Sequence, residues 1–191
     1  MAGAGTNSIT VDWGAAGAGS VTVTQFIVSS SCTVTTPPYN VTIEAIPTPS
    51  ITGDNTVCEN AQNKVYATPI VAGHTYAWTV TGGTIDGSST GNSIVVDWGT
   101  AGTGTIQLTE TIIASGCFIT TPIFNVNINT LPTPVISGLN VVCANDAGVI
   151  YSTPNSPGNT YTWSVSGGSI VAGTGTNLIK GKLGTSGGGS I

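Results

Sequence analysis

The sequence contains no arginine, one histidine and three lysines against eight acidic residues, so its net charge of −5 sits on a chain that is only 6% charged. Such scarcity of basic side chains excludes the electrostatic footprint that binding DNA or RNA requires. With His74 the sole imidazole and no closely spaced pair of carboxylates, there is no repeated nucleophilic or acid/base constellation, and the chain reads as non-enzymatic. No apolar run approaches the ~18–20 residues of a membrane span. The opening "MAGAGTNSI" lacks the basic and apolar regions of a signal peptide, and Met1 reads as an added start ahead of an excised fragment. Leu, Ala, Glu and Lys never gather in a long segment. What is abundant instead is Thr, Val and Ile, punctuated by 27 Gly and 10 Pro, the composition of an all-β chain kept in solution by Thr, Ser and Asn.

The chain also repeats itself. "NSITVDWGAAGAG" (Asn7–Gly19) returns as "NSIVVDWGTAGTG" (Asn92–Gly104) with a period of 85 residues, and 20 of the 40 positions between Asn7–Ile46 and Asn92–Leu131 are identical. Trp13 and Trp98, Cys32 and Cys117, Cys58 and Cys143, and Trp78 and Trp163 all obey the same period. The proline-rich joints "IPTPSITG" (Ile46–Gly53) and "LPTPVISG" (Leu131–Gly138) divide it, because proline is excluded from central strands and stiffens linkers. Residues 1–46 are then the C-terminal half of a repeat, 47–131 a complete repeat, and 132–179 the N-terminal part of a third. Beyond Ile179 the expected phrase gives way to "KGKLGTSGGGSI", so 180–191 read as a vector-derived linker.

Within the complete repeat, five stretches alternate apolar with polar residues: Lys64–Pro69, His74–Val80, Asn92–Trp98, Thr105–Ile113 and Ile123–Asn129. Short strands near "PSIT" and "GGTI" bring the count to about seven, that of an immunoglobulin-like sandwich. Trp78 and Trp98 fall in phase with the buried faces of their strands. We therefore assign Trp13, Trp78, Trp98 and Trp163 to the core, not to a sugar-stacking platform.

Four cysteines without a C-x-x-C pair, in an acidic, Thr-rich chain, point to disulfides and an extracellular compartment. Cys58 lies near the start of the complete repeat and Cys117 after its longest strand. A Cys58–Cys117 bond closing about 60 residues would contribute roughly 4 kcal/mol by chain entropy. Cys32 and Cys143 would then be the complementary halves of one composite repeat, pairing within one chain or between chains as a swapped dimer or head-to-tail polymer. The alternative set, Cys32–Cys58 with Cys117–Cys143, would cross each joint.

No cofactor is expected, with calcium kept as the alternative because extracellular β domains can hold it. It needs clustered oxygen ligands, whereas Asp54, Glu59, Asp86, Asp97 and Glu110 are scattered. His74 is replaced by Asn159 one period later and reads as a surface or turn position. A lysine–asparagine isopeptide is set aside because Lys64 becomes Val149, and "GTAGTG" (Gly99–Gly104) is a hairpin connection, not a phosphate loop.

Four ordered elements carry a family resemblance. They are I-x-G-x-x-x-V-C at Ile51–Cys58, Y-x-W-x-V-x-G-G at Tyr76–Gly83, G-N-S-I-x-V-D-W-G at Gly91–Gly99 and G-T-I-x-L-T-x-T at Gly104–Thr111, followed by Gly116–Cys117. Over residues 5–179 the sequence resembles the PKD-like repeats arrayed in giant cell-surface proteins of Bacteroidota, such as the SprB-type gliding-motility adhesin. The resemblance implies tandem Ig-like/PKD-like antiparallel β-sandwiches, export by type IX secretion, and a non-catalytic place in an adhesin shaft whose partners are neighbouring repeats. A carbohydrate- or surface-binding module is the alternative.

Overall fold

Alternation of apolar and polar residues, broken by Gly and Pro, becomes strand and turn throughout residues 5–184, the part of the chain that the computed structural model describes. Two units form, Met1–Leu131 and Pro132–Ile191. In the first unit the half repeat holds β1 (Gly17–Val21), β2 (Thr24–Ile27), β3 (Cys32–Thr35) and β4 (Tyr39–Ile43). The complete repeat holds β5 (Thr56–Cys58), β6 (Lys64–Ala67), β7 (His74–Thr81), β8 (Gly83–Asp86), β9 (Ser93–Trp98), β10 (Gly102–Ile112), β11 (Phe118–Thr120) and β12 (Phe124–Asn129). The second unit holds β13 (Ser137–Gly138), β14 (Ala147–Ser152), β15 (Gly168–Ala172) and β16 (Leu178–Leu183).

The complete repeat is built from two sheets. In one, β10 is flanked by β7 on one edge and by β12 and β11, end to end, on the other, with β5 added parallel to β12. The other runs β6–β9–β8, all antiparallel. Period-two alternation sends Val57, Tyr76, Trp78, Ile106, Leu108, Val126 and Ile128 from the first sheet into one apolar cluster with Tyr66, Ile94, Val96 and Trp98 from the second. This is the expected all-β sandwich. The strand expected at "PSIT" is only a bridge from Thr52 to Ala67, since Pro47 and Pro49 cannot continue a ladder. The parallel strand β5, three residues long, was not foreseen, because its pattern is too short to register.

Each partial copy keeps the pairings whose partners it contains. In residues 5–46, β1 pairs β4 and β2 pairs β3. The continuous β10 is here two strands, and no counterpart of β7 lies along its second edge. In the second unit the order β13–β14–β16–β15 reproduces the second sheet of the complete repeat. Residues 159–165, aligned with β7, form no strand. The reason is that the strand β7 pairs with is β10, whose counterpart falls beyond the described residues. β16 runs without interruption from Leu178 into Lys180–Leu183, with Lys180 opposite Ile150 and Lys182 opposite Ala147. Ladder bonds use backbone groups alone, so the changed side chains of the tail are accepted; the rest of the expected linker, 185–191, lies outside the described residues.

Candidate functional site

The tryptophans occupy seats that the period rebuilds. The Trp98 ring lies on Gly104 so closely that a Cβ there would stand 2.1 Å from a ring carbon, and its Nε1–H donates to the Tyr66 hydroxyl at 3.1 Å. Tyr66 in turn covers Gly53 and donates to the Asp54 carbonyl at 2.8 Å. One period on, Tyr151 covers Gly138 and donates to the Leu139 carbonyl; Trp78 donates to the Gly91 carbonyl and Trp163 to that of Thr176. Trp78 and Trp98 are core residues, at 4% and 3% exposure. Trp13 and Trp163 depart from the expectation. Trp13 covers Gly19 yet is 41% exposed, because the period position of Tyr66 has no counterpart in its half repeat. Trp163 is only half-buried, on a segment without a strand partner.

Burial raises the Tyr66 phenol above its ordinary value of 10.0; the Trp98 hydrogen bond opposes this and Asp54 adds to it. The folded state therefore holds this proton more tightly than the unfolded chain, so Tyr66 contributes stability that is complete below pH 10.0 and is lost as pH climbs through the raised value. Thermal melts across pH 8–11 should show a loss above about pH 10 that Tyr66→Phe abolishes. An unchanged alkaline limb in the variant would contradict this.

The cysteines are not brought together. Cys58 is opposite Asn129, beside Ile128, which faces Gly102 at the first residue of β10. The Cys117 carbonyl accepts from Ile112 N–H at the last residue of β10. Ten residue steps of extended strand separate those levels by roughly 30 Å, whereas a disulfide needs Cα atoms within about 7 Å. The expected Cys58–Cys117 bond is thereby corrected: chain order puts the two at the start and end of the repeat, but strand direction carries them to opposite ends of one sheet. All four cysteines are free thiols, with Cys32, Cys58 and Cys143 exposed. A composite repeat joined through Cys32 and Cys143 meets the same obstacle, since they hold the same two period positions. Thiol titration of the unreduced protein should find four reactive groups per chain, and a reductant should leave the melting temperature unchanged. Finding two groups would show that one pair of these cysteines is bonded, and peptide mapping to Cys58–Cys117 would restore the intrarepeat bond.

At the end of the sandwich where the chain enters, Pro47 and Pro49 run over a cleft of about 450 Å³ lined also by Thr68, His74, Glu110 and Ile112. His74, expected at the surface, is mostly buried, and its Nδ1 lies 2.6 Å from Oε1 of the buried Glu110. The pair is specific to this copy: the period places Asn159 and Gln25 at the corresponding positions. The cleft holds no cysteine and no second carboxylate beside Glu110 except Glu44 at its rim. At the exit end, the Glu59 carboxylate accepts from Leu131 N–H at 2.9 Å and Ala101 N–H at 3.4 Å, fixing the departing chain. Asp97 accepts from Asn63 N–H, and Asp54 pairs with Lys64 at the surface, at 3.0 Å. The carboxylates weighed for calcium are thus spread over both ends and both sheets. No group of three or more His, Cys, Asp or Glu able to hold a metal exists among the described residues.

These features describe a joint with two ends. The geometry has a counterpart in a known family: the model of the PKD-like domain matches residues 44–117 and 129–191, two segments that begin one 85-residue period apart. No curated protein matches the chain. PKD-like domains are typically extracellular and generally non-catalytic, and no helix among the described residues is long and apolar enough to cross a membrane. With matched segments spanning most of its length and an all-β sandwich in its complete repeat, the chain belongs to the PKD-like domain family.

Proposed function

We propose that the chain is a non-catalytic structural segment of a long extracellular adhesin of the bacterial cell surface, in which tandem sandwiches form a shaft that holds an adhesive tip away from the cell. One observation carries this reading. The complete repeat receives its chain beside Ile112 and releases it beside Ala101, at opposite ends of β10, so each copy advances the chain by about the length of that strand, ~35 Å. Modules whose termini lie at opposite ends extend; modules with adjacent termini do not. In this reading the neighbouring repeats are the principal partners, export follows the type IX route, and in a gliding cell the shaft transmits motility. The half repeats, each holding the sheet that the other lacks, offer a route to swapped or head-to-tail self-association.

Inserting one and then two further copies of Pro47–Leu131 at the Leu131/Pro132 joint tests it. Small-angle scattering should report a maximum dimension growing by roughly 35 Å per copy. Growth of only a few ångströms per copy would reject a shaft. The alternative, a carbohydrate-binding module, needs exposed aromatic rings. In the complete repeat Phe118 is the exposed aromatic, and Thr33 replaces it one period earlier. A glycan array with the complete repeat, Pro47–Leu131, should therefore give no saturable binding.

A further inference from the structure

We propose that PKD-like copies of this sequence are cross-linked to each other, not internally: the cysteine at the Cys58 position of one copy bonds the cysteine at the Cys117 position of the next. The first observation is a register. β5 runs parallel to β12 with Cys58 opposite Asn129, and both residues are exposed while the preceding pair, Val57 and Ile128, is buried. Cys58 and Asn129 therefore share the outer face. One period earlier, the position of Asn129 is Glu44. In any array where a complete copy precedes another, the first copy's cysteine thus stands one strand spacing, about 4.8 Å, from the residue at Glu44 and points to the same side.

The second observation is independent and lies at the junction inside the first unit. The Ser115 hydroxyl donates to Glu44 Oε2 at 3.3 Å, and the same hydroxyl accepts from Cys117 N–H at 3.4 Å. Glu44 therefore reaches the turn that carries Cys117. The register brings the preceding copy's thiol beside Glu44, and the junction brings Glu44 to the Ser115 hydroxyl that accepts from the Cys117 N–H. The same arrangement accounts for four unpaired thiols in this chain. The two positions proposed to bond lie one whole period further apart than Cys58 and Cys117, and no two cysteines of the 191 residues are separated by so much.

The step itself is a two-electron oxidation. Two thiols lose two protons and two electrons as the S–S bond forms, and a disulfide oxidant, such as oxidised glutathione, is reduced to two thiols. The consequence for an array is a second covalent link across each proline joint beside the backbone, holding consecutive copies together when one sandwich unfolds. The proposal rests on the head-to-tail junction and not on the adhesive role, so linear arrays without the bond would leave the shaft reading standing.

The test completes the first repeat of the full chain by placing a copy of residues Pro47–Gly91 directly before Asn7. After folding with oxidised glutathione, non-reducing peptide mapping should find the grafted cysteine bonded to Cys117 in a monomer, with Cys32, Cys58 and Cys143 still titrating as thiols. Cys117→Ser should release the grafted cysteine as a fourth thiol. A bond from the grafted cysteine to Cys32, within its own repeat, would overturn the proposal, as would free thiols at both positions in a chain whose circular dichroism shows the added sandwich folded. Should the graft fail to fold, the chain carrying an extra Pro47–Leu131 copy asks the same question one period on. There Cys58 should bond the inserted copy's counterpart of Cys117, and any other pairing, or none, overturns the inference.

Discussion

Trp98→Ala is expected to destabilise the complete repeat by about 3–5 kcal/mol, the range for removing a buried aromatic from a close-packed core. Three losses coincide. The ring leaves a cavity against Gly104, where no side chain can move in; it leaves the Tyr66 hydroxyl without the indole donor; and it removes an edge-on contact with Tyr66 at 5.9 Å between ring centres. Trp13→Ala, at the same period position, is expected to change stability by less than about 1 kcal/mol, because Trp13 is already 41% exposed and has no Tyr66 counterpart. Denaturant unfolding followed by near-ultraviolet circular dichroism measures both. Equal losses would mean that the half repeat buries Trp13 in a core of its own.

The His74–Glu110 pair should show strong coupling. His74→Ala leaves a buried carboxylate without its partner, an arrangement that costs about 3–5 kcal/mol when wholly dry. The open cleft over the pair admits water, so the expected loss is nearer 2–3 kcal/mol. The double change His74→Asn with Glu110→Gln installs the residues that the neighbouring copies carry at Asn159 and Gln25, and removes the charge together with its partner. It should fall within about 1 kcal/mol of the unaltered chain, because neutral amides can bond each other and the cleft without a charge to desolvate. A double-mutant cycle by urea unfolding reads the difference. Strictly additive losses would show that the two side chains do not act as a pair.

Much of the fold was legible beforehand. The alternations at His74–Val80, Asn92–Trp98 and Ile123–Asn129 match β7, β9 and β12 closely, since a half-buried strand writes its period into consecutive residues. The 85-residue period reappears in the paired family segments, which begin one such period apart. By contrast, β5 has a single buried residue and no alternation to display, so nothing in its three positions announces a strand. Trp13 and Trp163 carry the same local signature as Trp98 and Trp78, and no local pattern reveals that their packing partners are missing.

The sequence by itself determined the repeat, the strand faces and the family, because each is written in side chains near one another in the chain or at a fixed period. Only the tertiary structure decided which end of the sandwich each residue reaches. Cys58 and Cys117 open and close a repeat in chain order, yet the direction of β10 holds them at its two ends. His74 and Glu110 lie far apart in sequence and nothing local links them, yet the register of β7 on β10 sets them side by side. Alternation is a local property of the chain, whereas register and strand direction arise only when distant backbone groups pair.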